Sequence, residues 1–250
     1  MICRVACLVV GFLVGFLSLA HATETERQGI IAAFAKVAPS VGALYAQEED
    51  GDIKFLCTAT AVSREQDKTV VLTAHHCLRK GVAYLINFGD NRLRTLSVWK
   101  IPHYEVDTDK HPRRFNEPKT DMAFFLMEGK DIPITPFSDG ILLDAGRKVV
   151  MLGFPLGVSK IGYEGIVAGY FDRLGADLYG YLMLQIFGAP GSSGSSIIDV
   201  QSGKVVGILV SAKQSFAGLP VIFGTPIEYR KHLLSVRPEE KEEASDVDLP

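Results

Sequence analysis

Apolar and polar positions along the 250-residue chain fall into two textures. One is helical and lies towards the ends. In "ERQGIIAAFAKVAPS" the residues Ile30, Ile31, Phe34 and Val37 recur at helical spacing and Pro39 closes the segment. "PIEYRKHLLSV" repeats that spacing with Ile227, Tyr229, His232, Leu233 and Val236, which predicts a closing helix. Between the two, the apolar runs are short and bounded by turn residues. Strands are predicted at 41–46, 53–62, 69–74, 82–88, 93–101 and 122–127, with charged or glycine-bearing loops such as "REQDK" and "FGDNR" between them. Residues 103–120 form a long polar connection, read as a surface loop. A second set follows at 134–137, 148–153, 163–171, 179–187, 195–200, 204–211 and 219–225. Two sets of about six short strands predict an all-β fold. Its parts are two six-stranded antiparallel barrels, over about 40–127 and 134–226, with a short N-terminal and a C-terminal helix. A cleft between two such bodies is where a site is usually built.

The ends read differently. Arg4 precedes sixteen mainly apolar residues from Val5 to Ala20, and Ala20-His21-Ala22 supplies a small-x-small cleavage pattern. A spanning helix needs about 20 residues, so residues 1–22 are expected to be a cleaved signal peptide and the chain secreted or periplasmic. The alternative is an uncleaved anchor over 5–20, the one case in which a membrane contact is expected. The tail "RPEEKEEASDVDLP", 237–250, carries six acids and two bases without apolar periodicity and reads as disordered. One domain over 23–236 remains.

Composition narrows the function classes. With 47% hydrophobic and 22% charged residues the chain is long and apolar enough to fold around a core. Residues 23–236 carry 23 basic and 23 acidic side chains, so nucleic-acid binding has no electrostatic support. Loss of the leader removes Cys3 and Cys7. The remaining Cys57 and Cys77, in an oxidising compartment, are either one bridge or two separate buried thiols.

Three stretches carry candidate chemistry. In "VVLTAHHCL", His75 and His76 follow an apolar strand, and a histidine there is either structural or a general base titrating near neutrality. In "KTDMAFFLM", Asp121 stands at the head of a strongly apolar strand. It either caps a turn in solvent or turns inward, where an imidazole N–H would satisfy it and fix the tautomer. "APGSSGSS", 189–196, has the composition of a linker but lies between two apolar strands of a compact body. Its small residues allow consecutive N–H groups to converge on one spot. The N–H groups of Gly191 and Ser193 are then an oxyanion hole and the Ser193 hydroxyl a nucleophile. The order His, Asp, Ser is not that of α/β-hydrolases, which also need Gly-x-Ser-x-Gly where this chain has Ser195, nor that of subtilisins.

These stretches resemble the trypsin/chymotrypsin-like serine proteases. "TAHHC" is similar to the TAAHC motif, whose histidine directly precedes the cysteine and so maps to His76. "TDMAFFLM" is similar to DIALLKL and carries the orienting acid onto Asp121, and "PGSSGSS" is similar to PGNSGG and carries the nucleophile onto Ser193. "FLCTATAV" resembles the strand whose cysteine bridges to the one after the histidine, which implies a Cys57–Cys77 disulfide. "VAPSV", "GFPLG", "EGIVAG" and "FGTPI" resemble segments of HtrA-type bacterial members in the same order, and the expectation is a protease domain only, with no PDZ domain. Ser195 and Ser196 depart from the usual Gly-Gly.

The resemblance implies an exported serine endopeptidase acting through an acyl-enzyme on protein or peptide substrates, with no metal or other cofactor. By alignment, Phe187, Gly188 and Ala189 line one wall of the substrate pocket and Val210, Ser211 and Ala212 the other. No wall residue is charged, so cleavage after small or aliphatic residues is expected. Phe187 either occupies that pocket or points into the barrel core. The rival reading is a catalytically inactive homologue that binds proteins through the same cleft.

Overall fold

The computed structural model describes residues 24, 27–100, 121–139, 143–171, 181–214 and 220–227. The leader, the 103–120 loop, the closing helix and the acidic tail lie outside them. Helix α1, residues 27–37, buries Ile30, Ala33 and Val37, which are three and four residues apart on one face, while Ile31 is 48% exposed. Ile31 thus departs from the expected apolar face, because it is a turn-step of about 100° from Ile30.

Two closed barrels follow, each of six antiparallel strands. The first comprises β1 (Val41–Gln47), β2 (Ile53–Glu65), β3 (Lys68–Ala74), β4 (Ala83–Asn87), β5 (Arg94–Lys100) and β6 (Met122–Glu128), in the ring order β1-β2-β3-β6-β5-β4. The second comprises β7 (Lys148–Gly153), β8 (Ile161–Phe171), β9 (Tyr181–Gln185), β10 (Ser196–Asp199), β11 (Val205–Gln214) and β12 (Pro220–Pro226), in the order β10-β11-β12-β9-β8-β7. Read from β7, this is the same ring permutation as in the first barrel. Closure leaves neither sheet an unpaired edge.

Two expectations shift. Residues 134–137 are not a barrel strand; Phe137 makes only an isolated parallel bridge to Val205, within the connection between barrels. Strand β2 runs to Glu65, so "REQDK" is mostly a hairpin end rather than a loop: Arg64 pairs with Thr69 and Glu65 with Lys68. Charge disguised it, since side chains at a protruding hairpin tip can remain polar on both faces.

The apolar runs of the second barrel are explained by double burial. On β7, Val149 and Met151 enter that barrel's core, whereas Val150 and Leu152 join the cluster continuous with the first barrel. β10 and β11 divide the same way, with Ile197 and Leu209 inward and Ile198, Ile208 and Val210 towards the neighbour. A strand buried on both faces loses polar alternation. The face shared by the barrels is therefore mainly aliphatic, and this packing fixes how the two halves of any site between them meet.

One buried ion pair supports the second barrel away from that face. Asp199, 2% exposed, accepts from Arg147 Nε at 2.7 Å and Nη2 at 3.1 Å and from the Ser202 N–H at 2.9 Å. Burial alone would raise its pKa, but the bonds from Arg147 and Ser202 outweigh it and the net shift is downward. Its contribution is thus present above the unfolded carboxylate value and lost as the pH falls below it. Asp199→Ala is expected to cost about 2–3 kcal/mol, because Arg147 is partly exposed and rehydrates once unpaired. Thermal denaturation reads this as a midpoint lower by roughly 5–10 °C.

Candidate active site

The ladder between β3 and β6 ends with Ala74 opposite Met122, so the residues after β3 lie beside the residue before β6. The chain leaves β3 in a short turn, His75–Cys77, and meets Asp121 there. The His75 N–H donates to the Asp121 carbonyl at 3.0 Å, and the His76 N–H to Asp121 Oδ1 at 2.8 Å. Nδ1 of His76 bonds Asp121 Oδ2 at 2.7 Å. A carboxylate can only accept, so Nδ1 carries the hydrogen and Nε2 is left with a free lone pair. Asp121 hydrogen-bonding raises the His76 pKa; burial opposes it, and the Asp121 charge adds to it. The side chains are 45% and 23% exposed, which leaves the imidazole open to solvent and its partner shielded.

Asp121 also has φ +42°, in the left-handed region that non-glycine residues rarely occupy. The backbone bond from His75 and the side-chain bonds from His76 hold it there. Strain retained at an acid paired to a histidine is characteristic of functional sites.

Cys57 and Cys77 are joined, with Cα atoms 6.1 Å apart, which ties the histidine turn to β2. The bridge was expected. Their sulfurs lie within 4.8 Å of a His76 ring nitrogen, but sulfurs shared in a disulfide are not thiolates and offer no metal site.

Ser193 lies in the connection from β9 to β10. Its turn is closed by the Ser192 N–H to the Ala189 carbonyl at 2.9 Å and the Ser195 N–H to the Ser192 carbonyl at 3.0 Å. Outside groups fix the peptide planes. The Leu156 N–H holds the Pro190 carbonyl at 2.7 Å, and since N–H and C=O oppose each other in a trans peptide, the Gly191 N–H is turned the other way. The Ser192 carbonyl, spent on Ser195, likewise turns the Ser193 N–H away from it. Gly191, at φ +91°, makes this path available; a Cβ there would stand 2.6 Å from the Phe154 carbonyl.

Thr58, missed in the sequence, joins the two halves. Its N–H donates to the Ser193 carbonyl at 3.0 Å, and its hydroxyl donates to the Gly191 carbonyl at 2.9 Å while accepting from the Phe154 N–H at 2.9 Å. It follows Cys57 directly, so one β2 segment anchors both the histidine turn and the serine turn. A hydroxyl within the apolar strand "FLCTATAV" was the available signal; its partners, about 100 residues and more away, were not.

The expected pocket residues differ in their surroundings. Phe187 is 54% exposed and tilts against Tyr163 with ring centroids 5.0 Å apart, so it does not point into the barrel core. Gly188 lies against Leu209 and Ile222, and Ala189 closes the turn. Of the residues expected on the other wall, Val210 is buried in the cluster between the barrels, Ser211 is half-buried and Ala212 is exposed.

A family description of a trypsin-like peptidase domain matches residues 57–208, which include both cysteines, His76, Asp121 and Ser193. The chain is a member of the trypsin-like peptidase family. A probable periplasmic serine endoprotease, DegP-like, of Pseudomonas putida (strain GB-1) is 32% identical over 116 residues, 45% of this chain and 24% of the relative. The serine protease Do-like HtrB of Bacillus subtilis (strain 168) is 26% identical over 154 residues, 58% of this chain and 30% of that one. The matches thus span about a quarter to a third of these relatives. The trypsin-like fold itself recurs in the HtrA-type protease AlgW with a tripeptide, at TM-score 0.60, 22% identity and coverage of 82% of this chain and 60% of that one. It recurs also in the serine endoprotease from Yersinia pestis, at TM-score 0.61, 17% identity and coverage of 81% and 64%.

Proposed function

We propose that this trypsin-like peptidase is a serine endopeptidase in which Ser193 attacks the peptide carbonyl. His76 Nε2 takes the hydroxyl proton and returns it to the departing amine. Asp121 holds the imidazole in the required tautomer and stabilises the imidazolium, and the N–H groups of Gly191 and Ser193 receive the oxyanion. An acyl-Ser193 ester forms and water hydrolyses it. The observation that carries this reading is the pair of bonds from His76 to Asp121, one from the backbone and one from Nδ1, which leave a single direction for Nε2. The orientation of the Gly191 peptide by Leu156 supports the oxyanion role.

None of the expected wall residues Phe187, Gly188, Ala189, Val210, Ser211 and Ala212 is charged, which favours cleavage after small or aliphatic residues. The disulfide and the relatives named as periplasmic favour action outside the cytoplasm. Among the described residues no helix is long and apolar enough to cross a membrane.

A fluorophosphonate probe tests the nucleophile directly. Labelling is expected on Ser193 and absent from Ser193→Ala, with peptidase activity against an unstructured protein lost in parallel. A folded wild-type chain that takes no label would instead support the inactive, protein-binding homologue.

A further inference from the structure

We infer that Tyr84 is a positioning residue for the His76–Asp121 pair, a role that rests on the protease reading of the site but is measurable without turnover. Tyr84 lies on β4, between Ala46 of β1 and Leu96 of β5, and is 6% exposed. Its hydroxyl accepts from the Arg79 N–H at 2.6 Å and donates to the Arg79 carbonyl at 2.6 Å. Both backbone groups of one residue are thus taken by one side-chain oxygen, and Arg79 follows the histidine turn by two residues. The ring meets Phe125 at 5.0 Å between centroids, and Phe125 is fully buried on β6, the strand that Asp121 opens.

The turn bearing His76 therefore has four restraints. Its start is set by the β3–β6 ladder and by His75 on the Asp121 carbonyl. Its end is set by the disulfide, which fixes only Cys77, and by Tyr84, which fixes the chain beyond it. The tyrosine restraint is distinctive because the same side chain that grips the exit of the histidine turn packs on the strand that presents the acid. A hydroxyl at the end of a rigid ring transmits that spacing; a flexible side chain would not.

The pair itself has a clear reporter. Asp121 bonds the His76 ring and its charge acts on it, and the nearby Cys57 and Cys77 sulfurs do not titrate. Loosening the turn lengthens the bond from Nδ1 and lets the His76 pKa fall back towards the ordinary histidine value.

The experiment compares Tyr84→Phe with wild type in the full, disulfide-intact chain. The variant keeps the ring contact with Phe125 and removes only the hydroxyl. Expected are a downward move of the His76 titration, followed by imidazole NMR, and a loss of roughly tenfold in kcat on an alanyl or valyl peptide anilide with KM little changed. The acid limb of the kcat/KM profile moves to lower pH with it. An unchanged His76 titration, with at most a lower thermal midpoint, overturns the inference. Failure to fold also overturns it, since that would assign the hydroxyl to barrel stability. A moved titration in a chain with no Ser193-dependent turnover would defeat the protease reading and leave the positioning role standing.

Discussion

Asp121→Asn is expected to lower kcat by roughly 10⁴-fold while KM barely changes. The substitution keeps the volume, and asparagine is among the few residues tolerated at φ +42°, so the backbone of the site should persist. The amide oxygen can still accept the His76 N–H that now reaches Oδ1 at 2.8 Å. What changes is the partner of Nδ1. An amide nitrogen donates, which favours the tautomer with the hydrogen on Nε2, and that nitrogen can no longer accept a proton from Ser193. The loss thus falls on the step in which a proton moves, and substrate binding remains. Steady-state kinetics on a peptide anilide separates the two: a raised KM at unchanged kcat would mean that Asp121 shapes the cleft without acting through His76.

The same pair dictates the pH dependence of the intact enzyme. A general base must be neutral to accept, and the bond to Asp121 favours the protonated ring, so the His76 pKa is raised. Activity is accordingly lost on acidification at a pH above the ordinary histidine value of 6.5, not below it.

How far the sequence disclosed this depends on where each determinant lives. The pairing of His76 with Asp121, and the serine turn proposed to act with it, were legible because each sits in a short stretch whose residue types are unusual in their position: histidines after an apolar strand, an acid before one, serines and glycines between two. The two-barrel architecture was visible in the number and spacing of apolar runs. What was hidden is non-local. Tyr84 looks like an ordinary strand aromatic until the barrel brings Arg79 back to it, and Thr58 looks like a polar interruption of a core strand until Gly191 and Ser193 arrive from the other barrel. The left-handed Asp121 is hidden for a different reason. Its dihedral is imposed by bonds to His75 and His76, and nothing in the local sequence asks for it. The C-terminal end of β2 runs past its expected limit because a hairpin tip carries charges that pattern rules assign to loops.

Gly194→Ala is expected to cost about 3–5 kcal/mol and to remove fluorophosphonate labelling of Ser193 even in the fraction that folds. Gly194 stands at φ +80°, and a Cβ there would lie 2.3 Å from the Thr58 carbonyl, 2.4 Å from Thr73 Oγ1 and 2.9 Å from the Ala74 N. None of these neighbours yields cheaply. The Thr58 carbonyl already accepts the Thr73 hydroxyl at 2.8 Å, and Ala74 is the last residue before the histidine turn. Relief therefore requires the serine turn to retreat from the first barrel, which breaks the bond from the Thr58 N–H to the Ser193 carbonyl and, in the proposed mechanism, carries Ser193 away from His76. Gly146→Ala separates strain from contact. It has a comparable φ of +86° with open space around the Cβ, so it should cost only about 1 kcal/mol and spare labelling. Equal effects of the two substitutions, in thermal midpoint and in labelling, would mean that the serine turn can move without consequence. The contact between Gly194 and the base of the histidine turn would then not be what holds the two halves of the site in register.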